Sequence, residues 1–236
     1  MKVSIMQPYF FPYIGYFSLI KNTDKFILFD PVQFIRHGWI ERNRILKQND
    51  GWLYIQVPLI KSGRDIIIKD IKIDNSQNWK PKIIAQLQPY KKIAPFYYKV
   101  VKLITESLNN DYEDIVTLNY HTLKSVCQYL NIEKDFSIFS DMNLSIKQAM
   151  SADEWALNTC IQLENITEYW NPPGGESFFD RRKYDNAGIN LRFQKVKLKP
   201  YDQKRNVFEP GLSIIDVMMF NSAEEINKML DEYELV

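Results

Sequence analysis

Residues 1–30 constrain the fold more than any other part of the chain. Residues 2–6 form a short apolar run that ends at Gln7 and Pro8, and a proline, which has no amide hydrogen, stops a strand. Residues 14–20 then open a helix, and residues 25–30 form a second apolar run of strand length. This order of strand, loop, helix and strand predicts a βαβ unit, which implies two parallel strands joined by a right-handed crossover.

The rest of the chain alternates between strand-like and helical patterns, which predicts an α/β fold. We expect the βαβ unit to lie in a mostly parallel, Rossmann-like sheet, followed by a largely helical middle and C-terminal part. No repeat or low-complexity linker interrupts the sequence. We therefore expect a single domain over residues 1–236, in which about residues 79–165 can form a helical subdomain. Further strands are predicted at 52–59, 66–73, 136–139 and 189–197. Helices are predicted within 79–130, at 151–163 and at 223–233. Ser151 and Glu154 have the spacing of a capping box at the start of the helix at 151–163.

The composition excludes several classes of protein. A formal net charge of +1 gives no overall field that would attract nucleic acid or an anionic membrane. No window approaches the roughly 18 to 20 apolar residues of a membrane span, and the first apolar run is interrupted too early for a signal peptide. Two cysteines and two histidines are too few for a disulfide framework or a four-thiolate zinc site. We expect a reduced, cytoplasmic protein without a metal site, membrane insertion or a nucleic-acid partner.

Candidate catalytic side chains follow the two N-terminal strands. Ligands of an open parallel sheet bind at the carboxyl ends of its strands, so Gln7 and Asp30 are expected to face one crevice. Asp30 is either a general base toward an amine or a turn residue before a proline. His37 is either a second candidate base or a surface imidazole. Gln7 either positions and polarises an acyl carbonyl or caps a turn.

Candidate ligand-binding side chains surround these positions. Gly15, near the start of the predicted helix, would let backbone amides approach an anion. Arg42 and Arg44 can donate in pairs to a phosphate or carboxylate, and Asn43 offers both a donor and an acceptor. Aromatic side chains that can stack on a base or a sugar face are Tyr9, Tyr13 and Tyr16.

Longer motifs are distributed along most of the chain. The longest is MQPYFFPYIGYF at residues 6–17. Others are PVQF at 31–34, RNRIL at 42–46, the glycine pair at 174–175, PYDQ at 200–203 and LSIID at 212–216. Together these motifs resemble the WbqC-like family of bacterial proteins over nearly the entire sequence. The resemblance adds further candidates for ligand binding, namely Gln33, Trp39, Tyr201, Ser213 and Asp216.

The resemblance implies an accessory enzyme of O-antigen or related surface-polysaccharide biosynthesis. Its leading interpretation is an acyltransferase, aminoacyl or glycyl, that modifies a nucleotide-linked amino sugar. The acyl donor would be a thioester on coenzyme A or on the phosphopantetheine of an acyl carrier protein, and such a donor requires no metal. The expected partners are therefore a small-molecule nucleotide sugar and an acyl carrier protein.

Two other functions remain open from the sequence. One is a non-catalytic protein that binds a nucleotide or sugar nucleotide and assists a partner enzyme. The other is a divergent nucleotidyltransferase, in which Tyr13 and Tyr16 replace the two histidines of a His-x-Gly-His signature. Ser213 and Asp216 also have a purely structural alternative, because a serine N-cap followed three residues later by an acidic residue can cap a helix.

Overall fold

The computed structural model describes residues 1–236 and contains a six-stranded sheet with a separate two-stranded hairpin. Five strands of the sheet are parallel, and the last strand of the chain pairs antiparallel at one edge. The α/β, mostly parallel, Rossmann-like prediction is therefore confirmed. The strands are β1 (Lys2–Met6), β2 (Lys25–Leu28), β3 (Arg42–Leu46), β4 (Trp52–Gln56), β5 (Asp135–Ile138), β6 (Glu168–Asn171), β7 (Asn190–Val196) and β8 (Tyr233–Leu235).

The order of the strands places a switch point beside β1. The sheet runs β5-β2-β1-β6-β7-β8, so the chain first builds outward from β1 through β2 and β5. It then returns to the other side of β1 and continues through β6 and β7. The crossovers therefore leave β1 and β6 in opposite directions, and a crevice forms at their carboxyl ends.

Helices cover the two faces of the sheet. Because neighbouring residues of a strand point to opposite faces, Phe26 and Leu28 enter a core of 45 buried residues, whereas Ile27 enters a second core of 14. The larger core also contains the mid-chain helices and the last two helices. No helix is both long enough and apolar enough to cross a membrane. The α-helices are α1 (Ile14–Asn22), α2 (Trp79–Gln86), α3 (Tyr97–Leu108), α4 (Ile115–Tyr129), α5 (Ala152–Leu163), α6 (Arg181–Asn186), α7 (Ile214–Phe220) and α8 (Ala223–Leu230).

The β3–β4 hairpin lies outside the main sheet and packs by one face against helices α2 and α7. Asn43 and Ile45 of β3 are buried, whereas Arg42 and Arg44 are only partly buried and lie on the opposite face. Ile55 of β4 adds to the buried face. This alternation is typical of a strand with one side against the core.

Several predicted elements are wrong in detail. Residues 66–73 do not form a strand, because Ile68–Asp70 make a 3₁₀ turn and only isolated bridges flank it. The predicted capping box of α5 is absent, since the Ser151 hydroxyl donates to Asp153 and the Glu154 carboxylate accepts from the backbone of residue 150. The terminal helix ends at Leu230, because the chain turns there to form β8. Strands β3, β6 and β8 were not predicted.

Candidate functional site

A cleft of about 480 Å³ opens at the switch point of the sheet. Met6 and Asn171, the last residues of β1 and β6, both line it. The cleft contains no aspartate or glutamate, and Arg44 is its one charged lining residue. Two grooves of similar size lie beside α4, and neither includes the carboxyl end of a strand. The lining residues of the cleft are Met6, Tyr9, Pro12, Tyr13, Trp39, Asn43, Arg44, Asn171, Pro172, Gly174, Gly175, Phe178, Leu198 and Gly211.

Tyrosines from the loop between β1 and α1 form one wall of the cleft. The hydroxyls of Tyr9 and Tyr13 have no partner within the protein and remain accessible from the cleft. Burial raises the pKa of both phenols, so they stay protonated and act as donors. Tyr16 lies behind this wall, with its ring 5.5 Å from that of Tyr9 and its hydroxyl donating to the backbone oxygen of Gln7.

Gly15 allows a close approach at the start of α1, and the group that approaches is Tyr13. A Cβ atom at Gly15 would lie 2.5 Å from ring atoms of Tyr13, so no larger residue fits without displacing that ring. The ring therefore covers the position where the sequence suggested a bound anion. Gly15 contributes to the cleft by letting the Tyr13 ring lie close to the start of α1.

Asn43 and Ser213 hold the loop that carries the two tyrosines. The Asn43 amide donates to the backbone oxygens of Phe10 and Phe11, at 3.1 and 3.0 Å, and the Ser213 hydroxyl donates to the same Phe11 oxygen at 2.7 Å. Phe11 has a φ of 39°, a left-handed conformation that costs a bulky residue on the order of 1–3 kcal/mol. These buried hydrogen bonds offset that strain and fix the position of the aromatic wall.

Arg44 enters the cleft from the opposite side. Its guanidinium lies between two indole rings, 5.4 Å from the centre of Trp39 and 5.1 Å from that of Trp52. Nη2 donates to the backbone oxygen of Gly211 at 3.0 Å, whereas Nη1 has no partner in the protein and remains accessible. No carboxylate forms a salt bridge with Arg44. The cleft thus contains a positive charge that is held in place and not neutralised.

Asn171 is a cleft residue that the sequence did not indicate. It is buried, its Oδ1 accepts from the Tyr169 hydroxyl at 3.3 Å, and its Nδ2 has no protein partner. A Cβ at Gly175 would lie 2.2 Å from that Nδ2, so the glycine makes room for the amide. The sequence signal for Asn171 is the strand before the glycine pair at 174–175, but at four residues β6 is too short to show a strand pattern.

The structure places the two candidate bases away from the cleft lining. Asp30 is buried at the end of β2, where its carboxylate accepts from the backbone amide of Ser140 at 3.1 Å and from its hydroxyl at 2.5 Å. Burial raises the pKa of Asp30, and the Ser140 hydrogen bonds oppose this shift. His37 lies on an exposed turn with a φ of 61°, and its backbone amide donates to Glu41.

Three other candidates also lie outside the cleft lining. The side chain of Gln7 has no hydrogen-bond partner in the protein, and its backbone oxygen accepts from Tyr16. Gln33 donates from its amide to the backbone oxygen of Arg64 at the surface. Arg42 points along the hairpin, with its guanidinium 4.0 Å from the centre of the Tyr54 ring.

Asp216 and Tyr201 belong to a buried network behind the cleft. The Asp216 carboxylate accepts from the hydroxyls of Tyr90 and Tyr201, at 2.6 and 2.5 Å, and from the Gln203 amide at 2.9 Å. Burial raises the pKa of Asp216, and these three donors lower it. Ser213 caps α7 as predicted, but Asp216 makes no capping bond because its side chain points into the network.

Comparison with known proteins identifies the family. The family model described as the WbqC-like protein family matches residues 7–228 of the chain. The chain belongs to the WbqC-like protein family. An uncharacterised Mycobacterium tuberculosis protein, Rv1507c, is 32% identical over 226 residues, which is 95% of each chain. No solved structure matches this WbqC-like protein.

Proposed function

We propose that this WbqC-like protein binds a nucleotide-linked sugar in the cleft at the end of β1 and β6. The observation that carries the proposal is Arg44, whose guanidinium is held between two indoles with one nitrogen free to donate. An arginine without a carboxylate partner, in a cleft without acidic residues, favours an anionic ligand, and phosphate oxygens suit its geometry.

The remaining lining residues suit the sugar part of such a ligand. Tyr9, Tyr13 and Asn171 present donors without protein partners, and these can bind hydroxyl or carbonyl oxygens. Trp39 and Phe178 add aromatic surface on which a sugar face can pack. Few polar groups within a largely aromatic and apolar lining are typical of small-molecule sites.

Acyl transfer to an amino group of that sugar is the second candidate function. The observation in its favour is that the Asn171 amide and the two tyrosine hydroxyls are donors available to an acyl carbonyl oxygen as it gains charge. Asp30 and His37 do not line the cleft, so the amine would have to react as the free base. A thioester of coenzyme A or of a carrier protein remains the proposed acyl donor, in surface-polysaccharide biosynthesis.

A covalent acyl-cysteine is a poor alternative for this reaction. Burial raises the pKa of Cys160 to about 12, and Cys127 is buried in the same way, so neither forms a reactive thiolate. Both cysteines are free thiols. We also propose a cytoplasmic location, since free thiols persist in reducing compartments.

The binding proposal is tested by titrating nucleotide-linked amino sugars into wild type, Arg44→Ala and Arg64→Ala, with calorimetry and thermal shift as readouts. Arg64 is the matched control because its side chain is exposed and makes no hydrogen bond. A charge-assisted hydrogen bond to phosphate contributes about 1.5–3 kcal/mol, so Arg44→Ala should weaken binding roughly 10- to 150-fold. Wild type that binds none of these ligands, or equal affinities for the two variants, would contradict the proposal.

The acyl-transfer candidate requires a separate measurement. Wild type is incubated with an amino-sugar nucleotide that binds and with acetyl- or glycyl-thioesters, and the products are weighed by mass spectrometry. An acylated sugar nucleotide that forms faster than in the enzyme-free control supports transfer, and Asn171→Ala should slow its formation more than it weakens binding. Binding without any product would favour the non-catalytic function.

A further inference from the structure

The outer face of the β3–β4 hairpin carries arginines that lie on aromatic rings. In the antiparallel register, Arg44 lies opposite Tyr54. Each guanidinium lies over a ring of β4 that is diagonal to it in this register. The Arg42 guanidinium is 4.0 Å from the centre of the Tyr54 ring, and the Arg44 guanidinium is 5.1 Å from the centre of the Trp52 ring. The rings of Trp52 and Tyr54 contact each other, edge toward face, at 4.9 Å. With Trp39 these residues form a continuous surface, here called the aromatic ladder: Trp39, Arg42, Arg44, Trp52 and Tyr54.

The indole rings of the aromatic ladder are partly exposed to solvent. Trp39 is 40% exposed and Trp52 is 38% exposed, so part of each indole is available although the guanidinium of Arg44 lies over both rings. The hydrogen bonds of the two arginines go only to backbone oxygens, and neither forms a salt bridge. Large aromatic rings beside two arginines without salt bridges suit a ligand that is both planar and anionic.

The aromatic ladder is continuous with the cleft. Trp39 and Arg44 line the cleft and also belong to the ladder. A ligand whose sugar lies near Tyr9 and Asn171, and whose phosphates bind Arg44, therefore leaves the cleft beside Trp52. The group that follows the phosphates in a nucleotide-linked sugar is the nucleoside.

We propose that the exposed face of Trp52 is the nucleobase subsite of this protein, with Arg44 binding the diphosphate between the base and the sugar. The inference rests on the proposed function and extends it, because it assigns the ligand as a nucleoside diphosphate sugar and gives its direction across the molecule. Stacking on an indole tolerates different bases, since every base has a π-face. Uracil and guanine should therefore both occupy the subsite.

The test compares ligands with and without a base. The ligands are UDP, GDP, UDP-glucosamine and inorganic pyrophosphate, and each is titrated into wild type, Trp52→Ala, Trp52→Phe and Tyr98→Ala. Tyr98→Ala is the control, because Tyr98 is an exposed tyrosine on α3. Trp52→Ala should weaken UDP and GDP roughly 5- to 150-fold, equivalent to about 1–3 kcal/mol, and leave pyrophosphate within about 2-fold. Trp52→Phe should retain most of the affinity for UDP and GDP, because a phenyl ring still stacks.

The pyrophosphate measurement separates a lost stacking contact from a displaced Arg44. Equal losses for UDP and pyrophosphate in Trp52→Ala would mean that the indole only positions the arginine, and the base subsite would be wrong. Unchanged UDP and UDP-glucosamine affinities in Trp52→Ala would also overturn the subsite, but the proposed function would stand if Arg44→Ala still lost binding. Absence of binding of all four ligands to wild type would overturn both.

Discussion

Replacing Tyr201 with phenylalanine removes one hydroxyl from the buried Asp216 network. The hydroxyl of Tyr201 donates to Asp216 Oδ2 at 2.5 Å, and its ring packs against Phe208 and Phe220 at centre distances of 5.1 and 6.3 Å. Tyr201→Phe retains this ring packing and removes the donor to Asp216, together with a long hydrogen bond of 3.4 Å that the hydroxyl accepts from the Gln203 amide. Asp216 then keeps two of its three donors, from Tyr90 and Gln203.

The expected loss of stability follows from the charge and burial of the acceptor. A hydrogen bond to a charged group contributes about 1.5–3 kcal/mol to stability. We therefore expect Tyr201→Phe to lower the free energy of unfolding by about 2 kcal/mol at a pH at which Asp216 is ionised. For a protein of this size that corresponds to a fall in Tm of roughly 4–8 °C.

The loss should depend on pH in a defined direction. Burial raises the folded-state pKa of Asp216 above its unfolded value. The stability that Asp216 contributes is therefore fully present below the unfolded pKa, and it is lost as the pH rises through the folded pKa. The Tyr201 donor lowers that folded pKa, so its removal moves the pKa higher and increases the loss. The difference between variant and wild type should therefore grow as the pH rises through the folded-state pKa of Asp216.

Urea denaturation at several pH values measures this difference, with Tyr98→Phe as the control because the Tyr98 hydroxyl has no hydrogen bond and its ring is exposed. A second measurement places Tyr201→Phe in an Asp216→Asn background, where its cost should fall because the acceptor is no longer charged. A difference below about 0.5 kcal/mol at every pH measured, or one that does not change with pH, would refute the assignment of Asp216 as a buried carboxylate held by Tyr201.

Two further variants test the cleft itself. Gly175→Ala places a Cβ 2.2 Å from the Asn171 amide, so the amide must turn away from the cleft. We expect this variant to lose roughly 2- to 10-fold in nucleotide-sugar affinity. The control is Gly63→Ala, which has open space around it and should bind as wild type does. Ser213→Ala removes the helix cap of α7 and the hydrogen bond to the Phe11 oxygen. Urea denaturation should find this variant about 1–2 kcal/mol less stable than wild type. Unchanged stability would count against the role of Ser213 in capping α7 and holding the loop.

The local pattern of the sequence was sufficient for the N-terminal unit. The apolar runs at 2–6 and 25–30 and the helix between them appear as β1, α1 and β2, with the parallel pairing that a crossover imposes. Each of these elements has its own periodicity or its own stop signal, such as Pro8. Strand β6 has a stop signal in Pro172 but no periodicity of its own, because its four residues become a strand only by pairing with β1 and β7.

The roles of candidate side chains depended on partners far along the chain. Asp30 has the sequence position of a catalytic base, yet its carboxylate is bound by Ser140, 110 residues away. Asn43 has the sequence position of a ligand residue and does line the cleft, but its amide is occupied by the loop before α1. Spacing along the chain cannot encode such contacts, since they form only when the sheet brings separate segments together.

The sequence by itself determined the family, the α/β class and the region around which the cleft forms, because motifs, periodicity and strand ends are local properties. Only the tertiary structure decided which side chains meet in the cleft. Asn171 belongs to β6, whereas Arg44 belongs to a hairpin outside the sheet. The Arg44 guanidinium lies over two indoles that are 13 residues apart in sequence, those of Trp39 and Trp52. The physical reason is that burial, free donors and uncompensated charge are properties of a three-dimensional neighbourhood, which the folded chain creates from residues that are distant in sequence.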